Sequence, residues 1–413
     1  MAIRVGIGNS RQSDSFQAGQ EAAAHALESL GSLVPTVVFV FASVRFEQEA
    51  LLKGIVSQTK QVPLIGCSTA GEIHSTGPSR RGVVVAAVQS DGLRIAAALG
   101  KGLNTNSRQA GRDVADQVMR ARLPDPHGLL LFPDGLSGNI AEVIRGAQDI
   151  LGLSFPIVGG SAGDDLGFQK TFQYFHGTAF SDTVVGLLCA GNIAFGVGTR
   201  HGWQPMGKPK RVTRAFANTL SELDGKSAAR LYESYFNTQR SALKNDELAK
   251  ISIMYPLGFP IPGEEEYLLR NAIRANPDGS LTLTGEIPEG SEVRLMMGSK
   301  AQALAASKRA AEQALQAIAP QNPEMVLLMS CTSRAQLFGR NLGAELRIIR
   351  EVVGKDVPLF GFYDYGEQAP LTSSGFHGQS YFHNESALVV TLADHRTISK
   401  TKIPPGNFKS PCP

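Results

Sequence analysis

Val62-Pro63-Leu64-Ile65-Gly66-Cys67-Ser68-Thr69-Ala70-Gly71-Glu72 is an apolar run that breaks at one glycine, meets a second a few residues later and ends on an acid. The pattern returns as Phe155-Pro156-Ile157-Val158-Gly159-Gly160-Ser161-Ala162-Gly163-Asp164, and again as Val357-Pro358-Leu359-Phe360-Gly361-Phe362-Tyr363-Asp364-Tyr365-Gly366-Glu367. A short apolar run bounded by glycine reads as a buried strand. Paired glycines let the chain turn sharply and approach a neighbour, because no Cβ obstructs positive φ. Each copy therefore reads as a strand that runs into a tight loop.

The flanks repeat as well. Upstream of the three copies stand apolar strands at 37–43, 129–135 and 325–331, each followed by an amphipathic stretch. In the first, Phe46, Ala50, Leu51, Ile55 and Val56 share a helical face; in the third, Leu342, Leu346, Ile349 and Val352 do. Further upstream, strands at 3–8, 93–99 and 293–297 lead into helices at 17–30, 109–119 and 301–318. Strands at 82–88, 184–190 and 387–392 follow the copies. Recurrence of five elements in one order predicts an α/β fold of three diverged αβ repeat units. An α+β segment is expected between the second and third, holding the single tryptophan, a helix at 226–236 and a strand-turn-strand at 272–284 around Pro277-Asp278-Gly279. The expected units are 3–92, 93–200 and 291–393, with the inserted segment running to 290 and a flexible Pro- and Gly-rich tail at 396–413.

A net charge of +3 over 413 residues, with the two signs interspersed, leaves no stripe for nucleic acid and no polybasic patch for a membrane. The densest basic run, 208–214, reads as a solvated turn entering a strand. No uncharged apolar stretch reaches the roughly 20 residues of a membrane span. The start reads as a strand rather than a secretory signal. Cys67, Cys189, Cys331 and Cys412 have neither close pairing nor metal-ligand spacing, so neither a disulfide framework nor a zinc site is expected, and cytoplasm is the expected compartment.

The loops carry the candidate site residues. Glu72, Asp164 and Glu367 either surround shared pockets and accept hydrogen bonds from a polar ligand, or each caps its own turn. Cys67 is close in sequence to Glu72 and His74, which suits a nucleophile, while a small cysteine at a strand end equally suits a core. Gly159-Gly160-Ser161-Ala162-Gly163 has the spacing of a nucleophile elbow inside what reads as turn chemistry. Asp224-Gly225-Lys226-Ser227 lacks the upstream glycine of a phosphate loop. His25, His127 and His395 read as surface residues, and His74, His176, His377 and His383 follow the loops. His201 differs: Thr199-Arg200-His201-Gly202-Trp203-Gln204-Pro205 sets an imidazole beside an indole and a glycine turn, as a ligand pocket or as a structural histidine. The ligand-facing set is Cys67, Ser68, Glu72, Ser161, Asp164, His201, Trp203, Tyr363, Tyr365 and Glu367.

Val62–Ile73, His201-Gly202-Trp203 with Glu222-Leu223-Asp224-Gly225, and Gly361–Pro370 with His383-Asn384-Glu385 resemble the FIST family, over about residues 35–392. Gln368 departs from the apolar residue more usual there. The resemblance implies an N-terminal FIST domain at 1–228, a C-terminal one at 229–395, and a sensory, ligand-binding role in prokaryotic signalling, with amino acids proposed as ligands for the family. Some stand-alone FIST proteins bind haem, sense nitric oxide and regulate histidine kinases. The expectation is a non-enzymatic sensor that binds a small molecule and regulates a separate histidine kinase or other signalling protein. A haem-based alternative would use His201 as axial ligand, with His383 as second choice. The rival class is a hydrolase or transferase using Cys67 or the acidic loops.

Overall fold

The computed structural model describes residues 3–236, 245–264, 266–371 and 378–395; His377, Cys412 and the tail at 396–413 lie outside the described residues. The first segment supplies strands Arg4–Ser10 (β1), Val37–Ala42 (β2), Leu64–Ser68 (β3), Glu72–His74 (β4), Gly77–Ser79 (β5) and Val83–Gln89 (β6), with helices Ser15–Glu28 (α1) and Gln48–Thr59 (α2). The second supplies Leu93–Lys101 (β7), Pro126–Pro133 (β8), Ile157–Gly160 (β9), Gln173–Phe175 (β10), Thr178–Phe180 (β11) and Thr183–Gly191 (β12), with Leu103–Arg120 (α3) and Ile140–Leu151 (α4). Ile193–Arg200 (β13) follows directly. An insertion then carries Gln204–Phe216 (β14), Thr219–Leu223 (β15), Lys226–Ser227 (β16), Leu257–Pro260 (β17), Tyr267–Arg270 (β18), Ala272–Ala275 (β19), Leu281–Leu283 (β20) and Glu292–Met297 (β21), with Arg230–Phe236 (α5) and Asn245–Met254 (α6). The chain ends with Lys300–Ile318 (α7), Met325–Cys331 (β22), Thr332–Phe338 (α8), Gly343–Val353 (α9), Leu359–Asp364 (β23), Glu367–Pro370 (β24), Ser380–His383 (β25) and Ala387–Asp394 (β26).

Three six-stranded sheets share one internal order: β1-β6-β2-β3, β7-β12-β8-β9 and β13-β26-β22-β23. The first two joins of each are antiparallel and the third is parallel. A parallel join needs a crossover, and here helices provide it. Each sheet is completed by a hairpin from another segment. β10–β11 extends the first sheet at β3, β24–β25 the second at β9, and β4–β5 the third at β23. The hairpins are thus exchanged in a ring.

The inner faces of the three sheets meet in one core. Phe41 of the first sheet stacks on Phe362 of the third with centroids 4.5 Å apart, and Phe132 of the second meets both at 5.7 and 6.0 Å. Helix pairs α1–α2, α3–α4 and α7–α9 cover the outer faces. The first glycine of each signature is a packing requirement. Gly66 and Gly361 have φ of +153° and +156°, and a Cβ would lie 1.8 Å from Val40 O or 1.7 Å from Leu328 O on the neighbouring strand.

Two expectations are corrected here. The insertion does not separate the second and third segments but interrupts the third, after its first strand. The strand expected to open that unit, 293–297, is β21, which pairs with β14 and β17 in the insertion's own sheet; β13 takes the place in the third sheet. Both segments are short and apolar enough to read as strands, and such a pattern does not say which partner each chooses. The third sheet's first strand therefore comes from 193–200, and not from the expected 291–393 segment. Secondly, the basic run 208–214 lies inside β14, whose ladder slips between Met206 and Lys210, where Pro209 has no N–H to donate.

Candidate functional site

The signature loops gather at one end of the three sheets and bond to one another. Ala70 N donates to Tyr363 O at 2.9 Å, and Tyr363 N to Gly71 O at 2.8 Å. Gly163 N donates to Ser68 O and Asp165 N to Thr69 O, both at 3.0 Å. Ser161 N donates to Gly366 O at 2.9 Å, and Tyr365 N to Ser161 O at 3.1 Å. Every loop is therefore tied to both others. Ser68, Ser161 and Tyr363 are buried in this junction, with Ser68 Oγ donating to Gly163 O at 2.7 Å and Ser161 Oγ accepting from Gln368 at 2.9 Å.

The register identifies equivalent side chains. Glu72 pairs opposite Phe362, Glu367 opposite Gly160 and Gln173 opposite Cys67, each one residue beyond the signature's first glycine. Gln173 is thus the counterpart of the two glutamates, and the expected equivalence of Asp164 is corrected. Asp164 sits in an extra stretch of loop before β10. There it accepts from Phe168 N, Gln169 N, Lys170 N and the Tyr365 hydroxyl at 2.6–3.0 Å, so it folds its own loop. Tyr365 also stacks on Phe168, with centroids 5.0 Å apart.

All three equivalent residues tie a hairpin to the head of the returning strand. Glu72 Oε2 accepts from Gly82 N at 3.0 Å and from Ser79 Oγ at 2.9 Å, while Oε1 accepts from Thr69 Oγ1 at 3.0 Å. Gln173 Oε1 accepts from Thr183 Oγ1 at 2.9 Å, and Glu367 Oε2 from Ser386 N at 3.3 Å. Burial outweighs these donors at Glu72 and raises its pKa from 4.5 to about 7. Cys67 is wholly buried, and burial, with the Asp364 charge second, pushes its thiol well above the usual range. That environment opposes a thiolate nucleophile.

The third segment carries a charged core that the other two lack. Arg334, wholly buried, is 2.6 Å from Glu345 and donates to Ser307, His201 O, Glu385 O and Ala303 O. Beside it lie Glu385, Asp364 and Glu367, all buried, with Cys331 against the last two. Burial raises the carboxyls: Asp364 to about 7, Glu385 to about 8, and Glu367 well above its ordinary value. Sequence reading chose Glu367 here and missed Cys331, Asp364, Arg334, Glu345 and Glu385. Laying the three copies over one another shows Asp364 where the first has Thr69 and the second Ala162; for Arg334 and Glu345 no such signal exists.

His201 and Trp203 line the seam between this core and the insertion. Trp203 N donates to His201 Nδ1 at 2.8 Å, so the ring proton lies on Nε2, which is 3.5 Å from Glu266 Oε2. Desolvation, ahead of the opposing Glu266 charge, lowers the His201 pKa. His383 Nε2 donates to Ala369 O at 3.0 Å, and burial lowers its pKa to about 3. Haem needs a flat slot beside a free axial nitrogen. His201 and His383 are only 5% and 3% exposed, so although each keeps a second ring nitrogen, as packed neither presents it to an open slot that would take haem.

An open cleft of about 640 Å³ lies where β1 ends, lined by Ser10, Arg11, Gln12, Glu21, His74 and Thr76 among others. Its walls belong to two sheets: Ser10 and Arg11 to the first, and the β4–β5 hairpin to the third. Ser10 Oγ donates to Glu21, and His74 Nδ1 is 2.8 Å from Thr76 Oγ1. Among the described residues the Arg11 guanidinium has no carboxylate partner. No helix among the described residues is long and apolar enough to cross a membrane.

Three interlocked α/β sheets with a polar cleft at the end of β1, and an α+β insertion packed on the third, define the class of architecture. The chain belongs to the FIST family: the FIST N domain matches residues 36–226 and the FIST C domain residues 228–370. FIST domains are associated with sensing in signal transduction. An uncharacterized protein of Mycobacterium tuberculosis is 26% identical over 408 residues, covering 95% of this chain and 100% of that protein. One of Methanocaldococcus jannaschii is 26% identical over 279 residues, 63% of this chain and 54% of that protein. Among solved structures, cyanuric acid hydrolase from A. caulinodans aligns with a TM-score of 0.41 and 10% identity, over 96% of this chain and 100% of that one. A chorismatase aligns with a TM-score of 0.34 and 8% identity, over 95% and 99%. At these scores the likeness says nothing of the reaction.

Proposed function

We propose that the protein senses a small zwitterionic ligand, of the amino-acid class, in the cleft at the end of β1. The carrying observation is the cleft itself, which is lined by both the Arg11 guanidinium and the Glu21 carboxylate between walls from two sheets. Arg11 would take the ligand's carboxylate and Glu21 its ammonium group, with His74 and Ser10 as further polar contacts. A ligand bridging β1 and the β4–β5 hairpin binds two sheets at once. It therefore biases any motion between them, as a sensor requires of a ligand with unequal affinity for two states. The output would pass to a separate signalling protein such as a histidine kinase. The three segments serve this reading as diverged copies of one unit, supported by their shared strand order and equivalent hydrogen bonds.

Isothermal titration of the purified protein with a panel of amino acids tests the reading. One or more should bind and be recovered unchanged, and Arg11→Ala should weaken that binding about tenfold or more, the scale of a charge-assisted hydrogen bond. Binding that ignores Arg11→Ala, or a silent panel, would overturn it.

A further inference from the structure

The ends of β2, β8 and β22 and the loops that follow β3, β9 and β23 place three residues in equivalent positions in each segment. Ser43 N, Asp134 N and Cys331 N donate to Gly82 O, Thr183 O and Ser386 O at 2.9, 2.9 and 3.0 Å. In the first segment the trio Ser43, Thr69 and Glu72 is closed by hydroxyl donors, Thr69 Oγ1 to Glu72 and Ser43 Oγ to Asp165. In the second, Asp134 accepts from Thr171 Oγ1 and two main-chain N–H groups, and Gln173 from Thr183. The third departs from both. Its trio is Cys331, Asp364 and Glu367, and no hydroxyl stands between the two acids.

The consequence is a buried pair of carboxyl groups that have only each other as side-chain hydrogen-bond partners. Asp364 Oδ1 accepts from Gly366 N at 3.0 Å and Glu367 Oε2 from Ser386 N at 3.3 Å. Among the described residues, Asp364 Oδ2 and Glu367 Oε1, both wholly buried, have no donor from any third residue; the two carboxyl groups hydrogen-bond to each other, which requires a proton between them. One oxygen of each carboxyl is therefore fixed by the main chain while the other side meets only its counterpart, as when outer contacts orient ligands on a metal. The two carboxyls and the Cys331 sulfur each offer a ligand atom within 4.8 Å of the others. Gly160 leaves room beside them, since a Cβ there would sit 2.6 Å from Asp364 Oδ2. Glu345, Glu367 and Glu385, all buried, lie within the influence of the Arg334 guanidinium, which Glu345 already pairs.

We propose that Cys331, Asp364 and Glu367 form a buried site for a divalent transition-metal cation of the zinc class, locking the third sheet to the exchanged hairpin β24–β25. One thiolate with two carboxylates suits a borderline ion; magnesium and calcium take oxygen alone. Zinc–ligand distances of roughly 2.0–2.3 Å are reached from the present spread by small side-chain movement. The sequence hid the site because its ligands come from three separate strands and no local cysteine or histidine spacing marks them. It shares no residue with the ligand cleft, which lies between the end of β1 and the β4–β5 hairpin.

The full-length protein, purified without chelator or affinity metal, should hold stoichiometric zinc-class metal by mass spectrometry. The metal-stripped protein titrated with cobalt(II) should develop a thiolate-to-cobalt charge-transfer band. Cys331→Ala and Asp364→Asn should lose the band or weaken binding roughly tenfold or more. Asp364→Thr restores the hydroxyl of the first segment, so it should fold, as judged by circular dichroism, and bind no metal. Metal-free wild type with no cobalt band would show that a proton alone bridges the two acids and would overturn the proposal. Undiminished metal in a folded Asp364→Thr protein would overturn it equally.

Discussion

At the scale of single residues, burial decides the chemistry more than charge does. Glu72 has three donors around its carboxylate, yet desolvation raises its pKa from 4.5 to about 7. The unfolded chain releases this proton near pH 4.5 and the folded chain near 7. Between those values the folded state holds the extra proton, so this group's contribution to stability falls as pH rises. A shift of that size is worth about 3 kcal/mol. Glu72→Gln should fold, because Gln173 fills the equivalent position in the second segment. In urea melts the variant should match the wild type near pH 4 and gain on it by up to about 3 kcal/mol towards pH 8; a difference that does not vary with pH would refute the assignment. Cys67 follows the same logic. Its thiol should react slowly with iodoacetamide at neutral pH, and Cys67→Ala should cost at most a few kcal/mol, the scale of a lost buried side chain. Fast alkylation of the folded protein would return it to the list of nucleophiles. Both residues stood out in the sequence because they lie in the repeated motif. Asp364 and Cys331 did not, since their meaning depends on the hydroxyls of Thr69 and Ser43 that stand in their places in the first segment.

At the scale of elements, the signature glycine and the exchanged hairpin work together. Gly361 brings β23 against Leu328 O on β22, leaving its other edge for β4. Gly361→Ala forces a side chain into a 1.7 Å approach at positive φ, and should cost more than about 2 kcal/mol. Gly339, at φ +57° with open space around its Cβ position, is the control, where alanine should cost about 1 kcal/mol from strain alone. Equal losses in thermal denaturation would mean that close packing is not why the motif has its glycine. This part of the fold was legible, because a required glycine leaves a mark in sequence. The choice between β13 and β21 was not. Both are short strands ahead of helix α7, and their partners come from segments distant in the chain.

At the scale of the whole molecule, the ring of exchanged hairpins makes each sheet depend on another segment. The first sheet needs β10–β11, the second needs β24–β25 and the third needs β4–β5. The shared aromatic core adds a second dependence, since Phe41, Phe132 and Phe362 come from different sheets. A chain ending at residue 191 would keep two internal sheet orders but leave β9 without β24 and β4 without β23. It would also expose the apolar faces that meet the third sheet. Such open strand edges and exposed core should make it non-cooperative in melting and prone to associate. The insertion is a different matter. It has its own apolar cluster, and its two ends are close together, as a Cβ on Gly202 would lie 2.6 Å from Gln302 O. Replacing residues 204–298 with a short glycine-serine linker should therefore leave the three-sheet body folded, weakened where Trp203 and Arg334 lose their cover but still cooperative in a thermal melt. The two truncations must differ in this direction. A stable, monomeric 1–191 fragment, or a linker variant that melts without a transition, would mean that the ring is not the folding unit.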